Sequence, residues 1–149
     1  MRLLLAIDGS DHSQLAVDAV AQRPWPEGTL ARVLGVVEKQ GAPSVAEVML
    51  EGHGSPALAH EHRLHAAGQL VRKVAESLVN VTADSIVREG DPKDVIVEEA
   101  KDWSADLIVI GSCGHGALTR FVLGSVSQAV VNHAPCSVEL VRAKRTDEG

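Results

Sequence analysis

The chain has 149 residues, of which 45% are hydrophobic, and 20 acidic against 14 basic residues give it a formal net charge of −6 at pH 7. This length suits one domain that buries most of its apolar surface without a metal or disulfide, and the acidic balance argues against nucleic-acid binding. Two cysteines are too few for a disulfide framework, and the opening apolar run Met1–Ile7 is too short for a signal peptide or a membrane span. We therefore expect a cytoplasmic protein that contacts neither nucleic acid nor membrane.

The first half of the chain predicts two strands and two helices in alternation. Arg2–Ile7 is apolar nearly throughout and predicts a strand, and a helix over about Asp11–Ala21 follows with Ser10 as its N-cap. Ala31–Val37 predicts the second strand. Apolar residues at every third or fourth position then predict a long helix over about Pro56–Val79.

The second half predicts three strands and two helices, and its clearest signal is a helix start. Asp91 has the residue type of an N-cap, Pro92 suits the first helical position, and Trp103 lies on the inward face near the other end of this helix. The three strands and the last helix are predicted over Ala83–Glu89, Asp106–Ile110, Cys136–Val141 and Ser125–His133 respectively.

Two segments depart from this alternation. Glu38–Ser55 is rich in glycine and proline, and we expect it to form a mobile excursion near the functional site. Arg142–Gly149 is polar and predicts a flexible tail. The remaining segments form one domain over residues 1–149.

The alternation of strands and helices predicts a doubly wound α/β domain. The first and fourth strands are apolar at nearly every position, which is typical of strands that are covered on both faces of a parallel sheet. Ligands of such folds bind beyond the carboxyl ends of the strands. The loops of interest are therefore "DGSD" after the first strand, "EKQG" after the second and "GSCGHGALTRFVLGS" after the fourth.

The glycine-rich loop after the fourth strand has a regular spacing. Gly111 is followed after two residues by Gly114, and nine residues later by Gly124 and Ser125. A glycine at a strand end permits a sharp turn and a close approach of the backbone to a bulky ligand. Gly124 and Ser125 stand at a helix start, where unpaired N–H groups, the helix dipole and the serine hydroxyl favour a phosphate.

The same residues also have a simpler interpretation. Gly111 and Gly114 serve only turns in that case, and Ser125 only caps its helix; the residue types by themselves leave both interpretations open. The chain has no GxxxxGK[ST] motif, and no GxGxxG follows the first strand. Any nucleotide would therefore be bound through contacts other than those that these two motifs make.

The spacing of the four loop residues resembles the ATP-binding pattern of the universal stress protein family. "LLLAIDGSDHSQLAVDAV" and "REGDPKDVIVEEAKDWSADLIVIG" are similar to the same family, so the resemblance covers the whole chain. It implies a three-layer α/β/α sandwich of the adenine nucleotide alpha hydrolase-like type, with five parallel strands in the order 3-2-1-4-5. It also implies ATP binding, a stress-response or regulatory role, and a homodimer that pairs through the last strand, Cys136–Val141.

The resemblance also implies which residues contact the nucleotide. Asp8 would face the adenine and ribose, and Val36 would line the adenine pocket. Mg²⁺, if present, would be held through the phosphates. The residues that would wrap the ribose and phosphates are Gly111, Gly114, His115, Gly124, Ser125 and Val126. Cys113 stands where the family often has a longer polar or basic residue, and Arg120 is a possible source of the missing positive charge.

Two other functions remain compatible with these residues. One is a slow ATPase or nucleotidyl transferase that uses Asp8, His115 and Mg²⁺, although no spacing requires proton transfer and we assign no catalytic residue. The other is a dimerisation module without bound nucleotide. The histidines His53, His60, His62 and His65 do not have the spacing of a metal-ligand set, and we expect them to be solvated.

Overall fold

The computed structural model describes residues 1–39, 56–112 and 123–144. In these ranges it contains β1 Arg2–Ile7, α1 Asp11–Ala21, β2 Leu30–Val37, α2 Pro56–Ser77, β3 Thr82–Glu89, α3 Pro92–Asp102, β4 Leu107–Gly111, α4 Ser125–His133 and β5 Ser137–Val141. Each predicted strand and helix is present, and the observed bounds lie within two residues of the predicted ones. Most of the predicted mobile excursion, residues 40–55, and the end of the predicted tail, residues 145–149, lie outside the described residues.

The five strands form one parallel sheet in the order β3-β2-β1-β4-β5, which confirms the predicted fold class. β1 lies at the centre, where Leu3 pairs with Ala31 of β2 on one side and with Leu107 of β4 on the other. Leu3, Leu4 and Leu5 are all 0% exposed although their side chains alternate between the two faces. Helices cover both faces of β1, and this explains why its sequence is apolar without interruption.

Two apolar cores separate the molecule into three layers. On one face of the sheet Leu3, Leu5 and Val33 pack against α1 and α2 and against the residue that follows α2, through Val17, Val20, Val71, Val74 and Leu78. On the other face α3 and α4 pack through Ile96, Ala100 and Val130 against Leu4, Leu34 and Ile108. The sheet therefore lies between two helix layers, and its carboxyl edge carries the loops that lead into the helices.

Two helices begin with side-chain caps at the predicted residues. The Ser10 hydroxyl accepts a hydrogen bond from the Ser13 backbone N–H at 3.2 Å, and the Asp91 carboxylate accepts one from the Lys93 N–H at 3.3 Å. Pro92 occupies the first position of α3, where the missing N–H costs nothing. The predicted starts of α1 and α3 are thus confirmed.

A buried carboxylate ties α3 to the edge of the sheet. Glu99 is 5% exposed, and its carboxylate accepts hydrogen bonds from Arg32 Nη1 at 3.0 Å and from Arg88 Nε at 3.2 Å. Arg32 also donates two hydrogen bonds of 3.0 Å to Asp84, and its guanidinium lies 4.6 Å from the centre of the Trp103 ring. The hydrogen bond to Asp84, followed by that to Glu99, raises the pKa of Arg32 above its ordinary value despite partial burial.

The helices of the described ranges are either short or rich in charged side chains. α2 is the longest of them with 22 residues, and it carries charged side chains such as Arg63, Arg72 and Lys73 along its length. Within these ranges no helix combines the length and the apolar content that crossing a membrane requires.

Candidate functional site

The turn from β1 into α1 is built around Asp8. Its Oδ1 accepts hydrogen bonds from the Ser10 N–H at 2.9 Å and from the Ser10 hydroxyl at 2.5 Å, the pattern of an Asx turn. Gly9 has a φ of +81°, a conformation that favours glycine. Asp8 is exposed at the carboxyl edge of the sheet and has a structural role in this turn. Its contact with adenine and ribose stays a prediction.

The last residue of β4, Gly111, lies against the first turn of α1. A Cβ at Gly111 would stand 2.5 Å from the His12 carbonyl oxygen, closer than real Cβ atoms approach backbone, and 3.1 Å from the Ser13 nitrogen. The absence of a side chain at Gly111 is therefore explained by packing between β4 and α1. The sequence left open whether this glycine serves only a turn or also the close approach of a ligand, and the packing provides a third reason for it.

Hydrogen bonds join the two flanks of the glycine-rich loop. The Gly124 N–H donates to the Ser112 carbonyl at 2.9 Å, and the Ser112 N–H donates to the Val141 carbonyl of β5 at 3.0 Å. The Ser127 hydroxyl, 3% exposed, donates to the Gly111 carbonyl at 2.8 Å. The start of α4 is thereby held beside the end of β4. Gly114 and His115, like Cys113 and Arg120, lie outside the described residues.

The N-cap of α4 differs from the one in the simpler interpretation of the sequence, in which Ser125 caps the helix. Gly124, not Ser125, is the N-cap, and no side chain makes a capping hydrogen bond there. Intrahelical bonding begins with the Gln128 N–H, which donates to the Gly124 carbonyl at 2.9 Å. The N–H groups of Ser125, Val126 and Ser127 precede that bond and have no partner within the helix, as at any helix start. Ser125 is exposed and occupies the first helical position.

The described residues of the predicted site lie at one edge of the sheet. β1 and β4 are neighbours, with Ala6 opposite Ile110, so Asp8 and Gly111 lie at adjacent strand ends. Val36 lies near the end of β2, the neighbour of β1 on its other side. Val36 and Val126 are partly buried against the core beneath α3 and α4. The topology therefore gathers the predicted residues that come from three strands and one helix.

Sequence reasoning missed Ser127 and His12. Ser127 connects α4 to β4, and its only sequence signal is a serine on the inward face of a short apolar helix. His12 lies at the first turn of α1 beside Gly111, and its Nδ1 atom is buried with no hydrogen-bond partner among the described residues. No periodicity in the sequence distinguishes this histidine from a solvated one.

Metal ligands are not gathered in the described part of the chain. Within residues 1–39, 56–112 and 123–144, no group of three or more His, Cys, Asp and Glu side chains is placed to hold a metal ion. Three of the four histidines weighed in the sequence, His60, His62 and His65, lie in α2, and His53 lies outside the described residues.

Solved structures share this architecture. The structure of the hypothetical protein MJ0577 superposes with a TM-score of 0.77 at 23% identity, covering 97% of each chain. A universal stress protein in complex with cAMP gives 0.66 at 22% identity, with 95% of this chain and 96% of that chain covered. An AMP-bound member of the family from Arabidopsis thaliana gives 0.63 at 21%, with 97% and 92% covered. At these identities the likeness shows a common fold.

Sequence comparison goes further than the fold. A universal stress protein of Thermus aquaticus, encoded in the 3′ region of a QAH/OAS sulfhydrylase gene, is 38% identical over 142 residues, which cover 94% of this chain and 97% of the relative. The model of the universal stress protein family matches residues 1–142. The chain therefore belongs to the universal stress protein family.

Proposed function

We propose that this protein binds ATP at the carboxyl edge of its sheet and acts as a stress-response or regulatory protein in the cytoplasm. The observation that carries the proposal is the start of α4. It has glycine as its N-cap, no side chain of the described residues caps it, and the Gly124–Ser112 and Ser127–Gly111 hydrogen bonds hold it beside the end of β4, the neighbour of β1.

The residues at this edge fit the parts of an adenine nucleotide. The α4 N–H groups and the exposed Ser125 hydroxyl suit the phosphates, because a helix start favours anions and the hydroxyl adds a donor. Val36 provides an apolar surface for the base, and the Asp8 carboxylate accepts hydrogen bonds of the kind that ribose hydroxyls donate. Gly114 and His115 belong to the proposed site by the family pattern alone.

Mg²⁺ fits the proposal only as a companion of the nucleotide. The described residues provide no ligand set of their own, so the phosphates would bring the metal. The AMP and cAMP held by two proteins of the same fold support an adenylate as the ligand class. ATP is our choice among adenylates because the glycine spacing follows the family's ATP-binding pattern.

The Asx turn favours a binding role for Asp8 over a catalytic one. Its Oδ1 already accepts two hydrogen bonds from Ser10, so this oxygen is engaged within its own loop. A general base needs its oxygen within reach of the proton that it removes. We therefore propose that the nucleotide is held and not rapidly hydrolysed.

We also propose that the protein is a homodimer whose subunits meet along the last strand, Cys136–Val141. β5 is an edge of the sheet, and an edge strand presents unpaired backbone groups that a second strand can satisfy. Val138 and Leu140 of this strand are only partly buried. Light scattering across a concentration series measures the mass, and a monomer at all concentrations would contradict the dimer.

Mass spectrometry tests the nucleotide proposal directly. The purified protein is denatured, any released nucleotide is identified, and ATP with Mg²⁺ is then followed for hours. Retained and intact ATP supports the proposal. ADP that accumulates with the native chain but not with Asp8→Ala instead indicates a slow ATPase. Absence of nucleotide, together with no thermal shift on adding ATP, contradicts both and favours a dimerisation module.

A further inference from the structure

We propose that a second copy of this chain pairs with β3, the edge of the sheet opposite β5, in an antiparallel register centred on Ile86. β3 is an edge strand of eight residues, and within the described residues it pairs with β2 alone. Its register with β2 runs through all eight residues without a bulge, and the strand contains no proline. Bulges, prolines and very short strands are the usual means of blocking an edge. The unpaired side of β3 is therefore suited to another strand.

The backbone groups that face away from β2 belong to alternate residues of β3. The Gly90 N–H donates to the Val37 carbonyl of β2 at 3.0 Å. Successive residues of a strand turn their N–H and C=O groups to opposite sides, so the even-numbered residues of β3 face β2. The outward-facing residues are Ala83, Ser85, Val87 and Glu89. No hydrogen bond from another described element reaches their backbone groups, and a second strand would satisfy them.

The side chains on one face of β3 make this edge complementary to itself. Asp84, Ile86 and Arg88 share the face that α3 covers, where Ile86 packs against the core and Arg88 bonds Glu99 of α3. Asp84 and Arg88 carry opposite charges at equal distances on either side of Ile86, and their side chains are 58% and 52% exposed. In the proposed register each Asp84 lies directly opposite the Arg88 of the other copy, and the two Ile86 side chains face each other. Opposite charges and apolar side chains in such positions stabilise a strand pair.

Both charged groups can take a further partner although each is bonded within its own chain. Arg88 bonds Glu99 through Nε, and its terminal nitrogens have no such bond to the described residues. Each Asp84 carboxylate oxygen accepts one hydrogen bond of 3.0 Å from Arg32 and can accept a second. The internal bonds also hold both side chains on this face before a second copy arrives. This lowers the entropy cost of the contact between copies.

Other registers of the same two strands lose this complementarity. A centre at Asp84 or at Arg88 places like charges directly opposite each other, which is destabilising. A centre at Ser85 or at Val87 places a charged side chain opposite Ile86 and carries one outward-facing residue beyond the end of the partner strand. Only the centre at Ile86 pairs all four outward-facing residues with one another. The charges of the strand therefore favour one register.

The interface at β3 is independent of the proposed nucleotide site and of the proposed β5 dimer. β2 and β1 lie between β3 and β4, which leads into the glycine-rich loop, and β5 is the opposite edge of the sheet. The β3 pair is closed by its own two-fold axis and needs neither of the other two sites. Copies that use both edges would continue the sheet from one chain to the next, so assembly would then pass beyond a dimer.

Engineered disulfides test the interface and its register. In a chain whose two native cysteines are replaced by serine, Ile86→Cys brings two thiols directly opposite each other in a non-hydrogen-bonded pair, within reach of a disulfide. We expect a covalent dimer on mild oxidation, seen by non-reducing electrophoresis. Ser85→Cys is the matched control, because its twin lies diagonally across the strand pair, at about 7–8 Å, too far for a disulfide. No dimer with Ile86→Cys, or equal dimer with both variants, would overturn the proposal.

Ser85→Pro tests the backbone pairing by a second route. The Ser85 N–H faces outward, so proline removes no hydrogen bond to β2 but removes one from each copy across the interface. We expect association at β3 to weaken at least about tenfold in sedimentation velocity over a concentration series. Ser85→Ala keeps the N–H and should associate as the native chain does. An unchanged mass distribution for Ser85→Pro would contradict the interface.

The masses also separate this proposal from the β5 dimer. If both interfaces form, the native chain passes beyond a dimer and Ser85→Pro stops at the dimer. If β3 pairs and β5 does not, the native chain stops at a dimer and Ser85→Pro is a monomer. Both outcomes support the interface at β3, and only the second contradicts the dimer through β5.

Discussion

The starts of α1 and α4 lie at adjacent strand ends but differ in their N-caps: a serine side chain caps α1, and a glycine stands at the N-cap of α4. At α1 the Ser10 hydroxyl accepts a hydrogen bond from the Ser13 N–H and donates one to the Asp8 carboxylate. A side chain of the protein therefore already binds a backbone N–H of this helix start. At α4 the N-cap is Gly124, which has no side chain for this purpose. The α1 start is thus capped by the protein's own side chains, and the α4 start is the one at which we propose that the phosphates bind.

Gly124→Val should have the largest effect on binding. The backbone angles of Gly124, φ −60° and ψ 153°, are accessible to valine, so the fold should persist while the branched side chain occupies the space of the phosphates. We expect ATP affinity to fall by more than ~100-fold by calorimetry, with a nearly unchanged far-UV dichroism spectrum. Gly68→Val makes the same substitution at an open position and should not alter ATP affinity. Survival of binding within a few-fold would place the phosphates elsewhere.

Gly111→Ala should have the largest effect on stability. Its Cβ would stand 2.5 Å from the backbone oxygen of His12, and backbone on both sides has little freedom to move. Overpacking of this kind costs about 1–3 kcal/mol of unfolding free energy, measurable by urea denaturation. An unchanged urea midpoint would mean that β4 and α1 do not pack as described.

Ser10→Ala should lower the free energy of unfolding by about 1–2 kcal/mol, because α1 loses its cap and Asp8 loses a hydroxyl donor. The same urea experiment measures it. The matched change at the other helix start, Ser125→Ala, should leave the free energy of unfolding within about 0.5 kcal/mol, since Ser125 is exposed and does not cap. Equal losses in the two variants would remove the contrast between the helices.

Ser125→Ala should instead weaken ATP binding by about five- to tenfold, the value of roughly one hydrogen bond to a phosphate oxygen. Calorimetry of ATP binding at fixed salt measures the change. Ser85→Ala removes an exposed hydroxyl on β3, at the other edge of the sheet from β4 and β5, and serves as the control. An unchanged affinity for Ser125→Ala would mean that the hydroxyl does not reach the nucleotide.

The order of the elements was predictable because it depends on local patterns. Uninterrupted apolar runs mark strands that are buried on both faces, and Ser10 and Asp91 mark helix starts through interactions with residues two or three positions ahead. The parallel sheet follows from the alternation, and the order β3-β2-β1-β4-β5 was implied by the resemblance to the family. Residue type did not decide the N-cap of α4, because both glycine and serine, at positions 124 and 125, are suitable there.

Contacts between distant parts of the chain were decided only by the tertiary structure. The reason for glycine at position 111 is the backbone of His12, about a hundred residues earlier, and the role of Ser127 is a hydrogen bond to a carbonyl sixteen residues away. Glycine at position 35 is explained by Val71 of α2, since a Cβ there would stand 2.9 Å from Val71 Cγ1. The sequence by itself determined the elements, their alternation and the position of the glycine-rich loop, since these depend on near neighbours. Which glycines leave room for a ligand depended on what the fold places next to them.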